Sequence, residues 1–141
     1  MQEWLNAYLT ERGVRHVHRG NVIVAPPCGS PYKAVLHAVA VDGLYESSPE
    51  IVTQVLADTL CQANALGART VALTAIATGY GRMPMSEFAV GLREILSNDF
   101  PSVERVIIAL RSPTDTQELL KLVPELESIV DRSKQFGNAE P

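Results

Sequence analysis

The segment Thr74-Ala75-Ile76-Ala77-Thr78-Gly79-Tyr80-Gly81-Arg82-Met83-Pro84 holds the residues best suited to chemistry. It follows a β-branched apolar run and precedes a helical pattern, and ligands of open α/β sheets bind at that kind of junction. Glycines at 79 and 81 permit positive φ and close backbone approach, so successive N–H groups can line a nest for an anion. The helix that follows turns its own N-terminal N–H groups and positive dipole end towards the same place. Thr78 adds a hydroxyl, Arg82 a fork of donors with fixed charge, and Tyr80 an aromatic face. Phosphate is the guest such a loop suits. A Gly-X-Gly turn can also do no more than reverse the chain, so the elements around it carry weight.

Those elements read as an alternation. Trp4, Leu5, Tyr8 and Leu9 share one face of a short helix that Gly13 ends. Asn21–Ala25 is a strand that stops at Pro26-Pro27, and Ala34–Val41 is a second, apolar on both faces and so interior to a sheet. The short connection between them predicts an antiparallel hairpin. Ser48 caps a helix with Pro49 at its first position and Glu50 in its first turn, and Gly67 closes it. Arg69–Ala75 is a third strand, Ser86–Asn98 a helix, and Val103–Leu110 a fourth strand. A last helical region runs from Thr114 to Arg132, with a break at Pro124. The pattern is α/β: a three-layer α/β/α sandwich around a mixed, mostly parallel sheet whose last three strands run parallel. Residues 1–134 form one domain and 135–141 a polar tail.

Order and local sequence together resemble the macro domain family. The loop is similar to the family's second phosphate loop, commonly Ser-(Thr/Ala)-Gly-hydrophobic-aromatic-Gly-X-Pro. Ala77, Thr78 and Gly79 fall on its first three positions, Tyr80 on the hydrophobic one and Pro84 on the proline. Tyr32-Lys33-Ala34-Val35-Leu36-His37-Ala38-Val39 is similar to the family's Lys-Tyr-Val-Ile-His-Thr-Val strand. Gly20-Asn21-Val22-Ile23-Val24-Ala25-Pro26 is similar to its edge strand. The likeness spans about Trp4 to Val123. It implies a module that binds ADP-ribose or a related nucleotide diphosphate through Ala77, Thr78, Gly79, Tyr80, Gly81 and Arg82.

The departures are as specific. The family's opening Gly-Asp-Ile turn, its Asn-Ala-Asn strand and its Gly-Gly-Gly loop have no counterpart in these 141 residues. Gly81 stands where an aromatic usually stacks on the distal ribose, and Arg82 replaces a glycine. Hydrolytic members draw their catalytic residues from the absent motifs, so no catalytic residue is named. A hydrolase of ADP-ribose derivatives ranks below two other readings: the binding module, and an interaction scaffold that kept the fold and lost the pocket. The family strand between those matching Ala34–Val41 and Arg69–Ala75 is absent too. Either those two strands pair directly or another chain fills the gap, which favours a rearranged four-stranded sheet or a homodimer.

Composition narrows the classes further. A net charge of -4 and the lack of a Lys/Arg cluster argue against a nucleic-acid coat. No apolar run reaches membrane-spanning length, and Met1-Gln2-Glu3-Trp4 is no secretory signal, so a cytoplasmic protein with no membrane partner is expected. Cys28 and Cys61 read as free thiols rather than a disulfide or zinc pair. His16 and His18 alternate on one face of an extended segment without a carboxylate or thiol beside them, and no metal or cofactor is expected. His37 reads as a core histidine with a local hydrogen bond, Lys33 as a solvated edge residue. Asp42 and Glu46 border the ligand end as loop residues.

Overall fold

The computed structural model describes residues 1–129. Its elements are α1 (Gln2–Glu11), β1 (Asn21–Ala25), β2 (Val35–Val39), α2 (Pro49–Ala65), β3 (Thr70–Thr74), α3 (Met85–Leu96), β4 (Arg105–Ala109) and α4 (Pro113–Leu122). The α/β order expected from the sequence is therefore present. The tail at 135–141 and residues 130–132 of the expected last helix lie outside the described residues, whereas residues 123–129 are described and carry no helix, so the helical stretch expected beyond Pro124 is corrected. Within them α4 ends at Leu122, ahead of Pro124, whose ring restricts the residue before it to extended backbone.

Local chemistry sets the helix ends. Ser48 is extended at the start of α2, and its hydroxyl accepts a hydrogen bond from the Ile51 N–H, with Pro49 at the first helical position. Ser112 does the same for α4, accepting from Thr114 and Asp115. Gly13 and Gly67 both sit at φ 64° just beyond a helix, the left-handed backbone that glycine adopts at little cost. The Lys33 ammonium donates to the Leu66 carbonyl at the end of α2. It stays exposed, as expected, and also serves the helix end: a cation there meets the negative end of the dipole and an orphan carbonyl.

The core lies on one face of β3 and β4. Val52, Leu56, Leu60 and Ala63 of α2 meet Phe88, Ala89, Leu92 and Ile95 of α3, with Leu119 and Val123 beside α4 and Val71 from β3. Phe88, Val52 and Val123 are completely buried. On the other face of this ladder Thr70, Ala72, Thr74, Arg105, Ile107 and Ala109 are exposed. The α2–α3 contact is close because position 91 carries no side chain: a Cβ there would lie 2.8 Å from Thr53 Oγ1 and 3.3 Å from the Thr53 nitrogen.

The strands do not join into one sheet. β1 and β2 form an antiparallel ladder with Ile23 opposite His37, as the short connection predicts. β3 and β4 form a parallel ladder with Ala72 opposite Ile107, again as expected. No ladder links β2 to β3. The expectation of three parallel strands in one sheet is therefore corrected, and of the two alternatives for the gap the direct pairing is not adopted. The reading of Ala34–Val41 as a sheet-interior strand is corrected with it: every residue of β2 is half-buried. Between the two ladders lies a cavity of about 920 Å³ lined by both strands along their length. Leu5 and Leu9 of α1 and Leu56 and Ala63 of α2 also line it.

Replacing Gly91 by Val tests the close helix contact. The bulk must push α2 and α3 apart, and urea denaturation is expected to register a loss of about 1–3 kcal/mol, as overpacked cores do.

Candidate functional site

Ala75 is buried and ends the straight course of β3. The Thr78 hydroxyl then folds back onto the Ala75 carbonyl at 2.8 Å. Two further backbone bonds close the loop: Arg82 N–H to the Gly79 carbonyl at 3.1 Å, and Met83 N–H to the Ala77 carbonyl at 3.1 Å. Met83 and Met85 are buried and anchor the loop where it enters α3.

The left-handed residues are not the expected ones. Ala77 (φ 65°) and Arg82 (φ 50°) carry the positive φ, whereas Gly79 and Gly81 have ordinary backbone. A non-glycine residue in that region is held there by its surroundings, and strain of this kind gathers at functional loops. Here the two strained positions flank the turn, and the Met83-to-Ala77 bond clamps it shut. Gly81 is required for a different reason. A Cβ there would lie 2.5 Å from the Ala77 carbonyl oxygen and 2.8 Å from Val41 Cγ1. Gly79 faces open space, with nothing within 4 Å of its would-be Cβ.

The backbone donors of the loop are available. The N–H groups of Gly79, Tyr80 and Gly81 have no acceptor among the described residues, while Thr78, Arg82 and Met83 bond inside the loop. The start of α3 is also uncapped, with Pro84 at the cap position and no side chain accepting from the first turn. Arg82 is exposed and free of any salt bridge among the described residues. Of the six residues singled out from the sequence, Gly79, Tyr80 and Gly81 thus carry N–H groups unbonded among the described residues, and Arg82 carries an exposed side chain just before the α3 start. Thr78 is turned inward and serves the loop itself.

A second loop, 42–47, meets the first. Asp42 organises it: Oδ1 accepts from the Leu44 and Glu46 N–H groups at 2.9 and 3.0 Å, and its carbonyl accepts from Tyr45 N–H at 3.0 Å. Arg19 donates to Asp42 Oδ2 at 3.1 Å and to the Glu46 carbonyl at 3.3 Å. Asp42 is therefore a loop builder, and Glu46 contributes mainly backbone. The result holds Tyr45 at φ 64°, with its ring 6.0 Å from that of Tyr80. Both rings are exposed, Tyr80 at 87%. Sequence reasoning missed Tyr45 because its partner is 35 positions away; Asp42-Gly43-Leu44 is nevertheless a recognisable Asx-turn signal.

Other candidates are more ordinary. His37 is half-buried rather than core, and its Nε2 lies 3.2 Å from Met1 Sδ, 36 positions away, so the expected local hydrogen bond is corrected. The His16 and His18 rings meet edge to face at 5.0 Å. Among the described residues no three His, Cys, Asp or Glu gather as metal ligands. Cys28 and Cys61 are both free and exposed. No described helix is long and apolar enough to cross a membrane.

The model of one family, the macro domain, matches residues 3–90, more than half of the chain. The chain belongs to the macro domain family. Among solved structures it is similar to a macrodomain of Oceanobacillus iheyensis with ADP, at 23% identity and TM-score 0.67, over 88% of this chain and 67% of that one. A mutant of that macrodomain with ADPR matches at 23% identity and TM-score 0.66, over 89% and 69%. At such identities the likeness is one of fold. An uncharacterized protein of Thermococcus kodakarensis is 26% identical over 120 residues, 79% of this chain and 67% of its own. One from Mycobacterium tuberculosis is 35% identical over 81 residues, which are 57% of this chain but only 23% of that protein.

Two predictions follow from this geometry. Gly81→Ala should lower stability by about 1–3 kcal/mol, the usual range for an overpacked site, while Gly79→Ala should change it by no more than about 0.5 kcal/mol; thermal denaturation of the pair separates them. The second concerns pH. Backbone hydrogen bonds, first that from Glu46, hold the Asp42 carboxyl below its ordinary value of 3.8, aided by Leu44 and Arg19 and opposed by partial desolvation. A depressed carboxylate contributes order that is complete above its unfolded pKa and lost as pH falls through the folded one. The Leu44 and Glu46 amide resonances should therefore titrate together, with a midpoint below 3.8.

Proposed function

We propose that this macro domain binds ADP-ribose, or a closely related nucleoside diphosphate, through the loop Ala77–Arg82. One observation carries the reading: three consecutive N–H groups, at Gly79, Tyr80 and Gly81, have no acceptor among the described residues and lie where β3 gives way to an uncapped helix. Unsatisfied donors at such a junction are suited to a diphosphate, and the exposed Arg82 adds a charge-assisted fork. The solved macrodomains with ADP and with ADPR support the ligand class through their shared fold. Tyr80 and Tyr45 offer flat surfaces beside the anion site. Binding and orientation are the whole of the proposed role; no catalytic residue is assigned. Residues 1–134 act as the one binding domain, with 135–141 as its tail.

Calorimetric titration with ADP-ribose and ADP tests this. Wild-type protein should bind, and Arg82→Ala should weaken binding by about 1.5–3 kcal/mol, the worth of a hydrogen bond to a charged group. Gly79→Val should abolish it by adding bulk within the row of free N–H groups, and should leave the fold intact because a Cβ there meets nothing within 4 Å. Wild-type protein that takes up neither ligand at millimolar concentration would leave the interaction scaffold as the better reading.

A further inference from the structure

Two tyrosine rings stand in solvent where the loops 42–47 and 77–82 meet. Tyr80 is 87% exposed and Tyr45 57%, so neither ring gives much of its area to the core. Their centroids lie 6.0 Å apart, with the planes inclined at 35°. Aromatic pairs that satisfy each other are offset-stacked or edge-to-face. This pair is neither, and its flat faces stay open to a further ring. A planar group between the two needs them about 7–8 Å apart, twice the optimal carbon–carbon separation. Rotation of two exposed side chains supplies the difference.

The place of each ring is set by its loop. Tyr45 sits at φ 64°, a region that a bulky residue occupies only when its surroundings impose it. Asp42 and Arg19 impose it, through bonds to the Leu44 and Glu46 N–H groups and the Glu46 carbonyl. Tyr80 belongs to two features at once. Its N–H is the middle one of the three without an acceptor among the described residues, and its ring is half of the pair. An anion held at Gly79–Gly81 therefore has an aromatic face on the same residue that binds it. The polar side chains of the two loops are turned to their own backbone. The Thr78 hydroxyl donates to the Ala75 carbonyl, the Ser47 hydroxyl to the Ala40 carbonyl, and the Asp42 carboxylate accepts two N–H groups. The Glu46 carboxylate is left over, on an exposed residue. What the loops present is thus flat surface far more than hydrogen-bonding groups.

We propose that Tyr45 and Tyr80 form a base platform: the ligand is a nucleoside diphosphate whose base stacks on these rings and is recognised by its face, not by its edge. The inference rests on the reading of Ala77–Arg82 as the diphosphate site. The row of N–H groups and Arg82 meet the charge. Tyr45, from the other loop, is the residue that separates a nucleotide from a bare diphosphate. Stacking on aromatic side chains is tolerant of sequence, because every base has a π-face. The site is accordingly selective for the presence of a base and tolerant of which base it is, with purines ahead of pyrimidines through their larger stacked area.

Calorimetric titration with ADP, GDP, UDP and inorganic pyrophosphate reads both halves of the site. Wild-type protein should bind the three nucleotides within about tenfold of one another and pyrophosphate at least about tenfold more weakly. Tyr45→Ala removes the ring without touching the N–H row. It should weaken ADP at least about fivefold, leave pyrophosphate within about twofold, and keep the thermal midpoint close to wild type. Tyr45→Phe keeps the face and should restore ADP to within about threefold of wild type. In NMR spectra of ADP with wild-type protein the adenine H2 and H8 signals should move upfield by ring currents, and Tyr45→Ala should remove most of that movement. Pyrophosphate too weak to register fits the expected ranking, and the ring-current shift then decides the Tyr45 arm: its absence overturns the proposal. Pyrophosphate as tight as ADP, or Tyr45→Ala without effect on ADP, overturns the base platform and leaves the anion loop standing. Equal weakening of ADP and pyrophosphate by Tyr45→Ala also overturns it, since Tyr45 would then only shape its loop. Uptake of one nucleotide alone among the three overturns recognition by the face. Protein that takes up none of the four at millimolar concentration overturns the loop reading and the platform together.

Discussion

Where α3 crosses α2, position 91 brings backbone against Thr53 with no side chain between, and Phe88 fills the space one turn away. The rest of the molecule is arranged around that contact. It fixes the depth and direction of α3 and hence the point at which the β3–α3 loop must deliver the chain. Met83 and Met85 are drawn into the core there, which shortens the loop and forces left-handed backbone at Ala77 and Arg82. Burial of a few apolar groups thus holds the loop's strain, and the same strain leaves the intervening N–H groups without partners among the described residues.

The 42–47 loop is built on electrostatics rather than burial. A single carboxylate accepts two backbone N–H groups and a guanidinium, and the turn it enforces brings Tyr45 against Tyr80. One tyrosine is fixed by the hydrophobic core through its loop, the other by a solvent-facing charge network. The candidate site therefore joins supports of different kinds, and only the second responds to acid.

Much of this was legible beforehand, for identifiable reasons. β-Branched runs, Ser48-Pro49-Glu50 and the glycines at 13 and 67 are local signals, and each marks the boundary it should. The hairpin of β1 with β2 and the parallel pairing of β3 with β4 also follow from connection length. The relation of β2 to β3 was not legible, because apolarity on both faces reports burial and not the identity of the neighbour. Glycines in the loop suggested positive φ at 79 and 81, yet packing against Val41 and the Ala77 carbonyl is what position 81 requires. Lys33 looked like an edge residue and nothing more because its acceptor, the Leu66 carbonyl, is reached only after α2 has folded back.

The division into two ladders also bears on how the molecule comes apart. α2 packs against both strands of the β1–β2 hairpin and against α3, whereas the hairpin and the β3–β4 ladder share no backbone bond. The hairpin's pairings are local in sequence, and those of β3 with β4 span a helix. Such a chain has two cooperative units hinged on one helix. The first can open while the second stays folded, at a free energy below that of global unfolding. Because Arg19 and Asp42 flank that hairpin, each opening would also dissolve the turn that carries Tyr45. The lifetime of one side of the aromatic pair would then be set by the breathing of a two-stranded ribbon, not by the stability of the core.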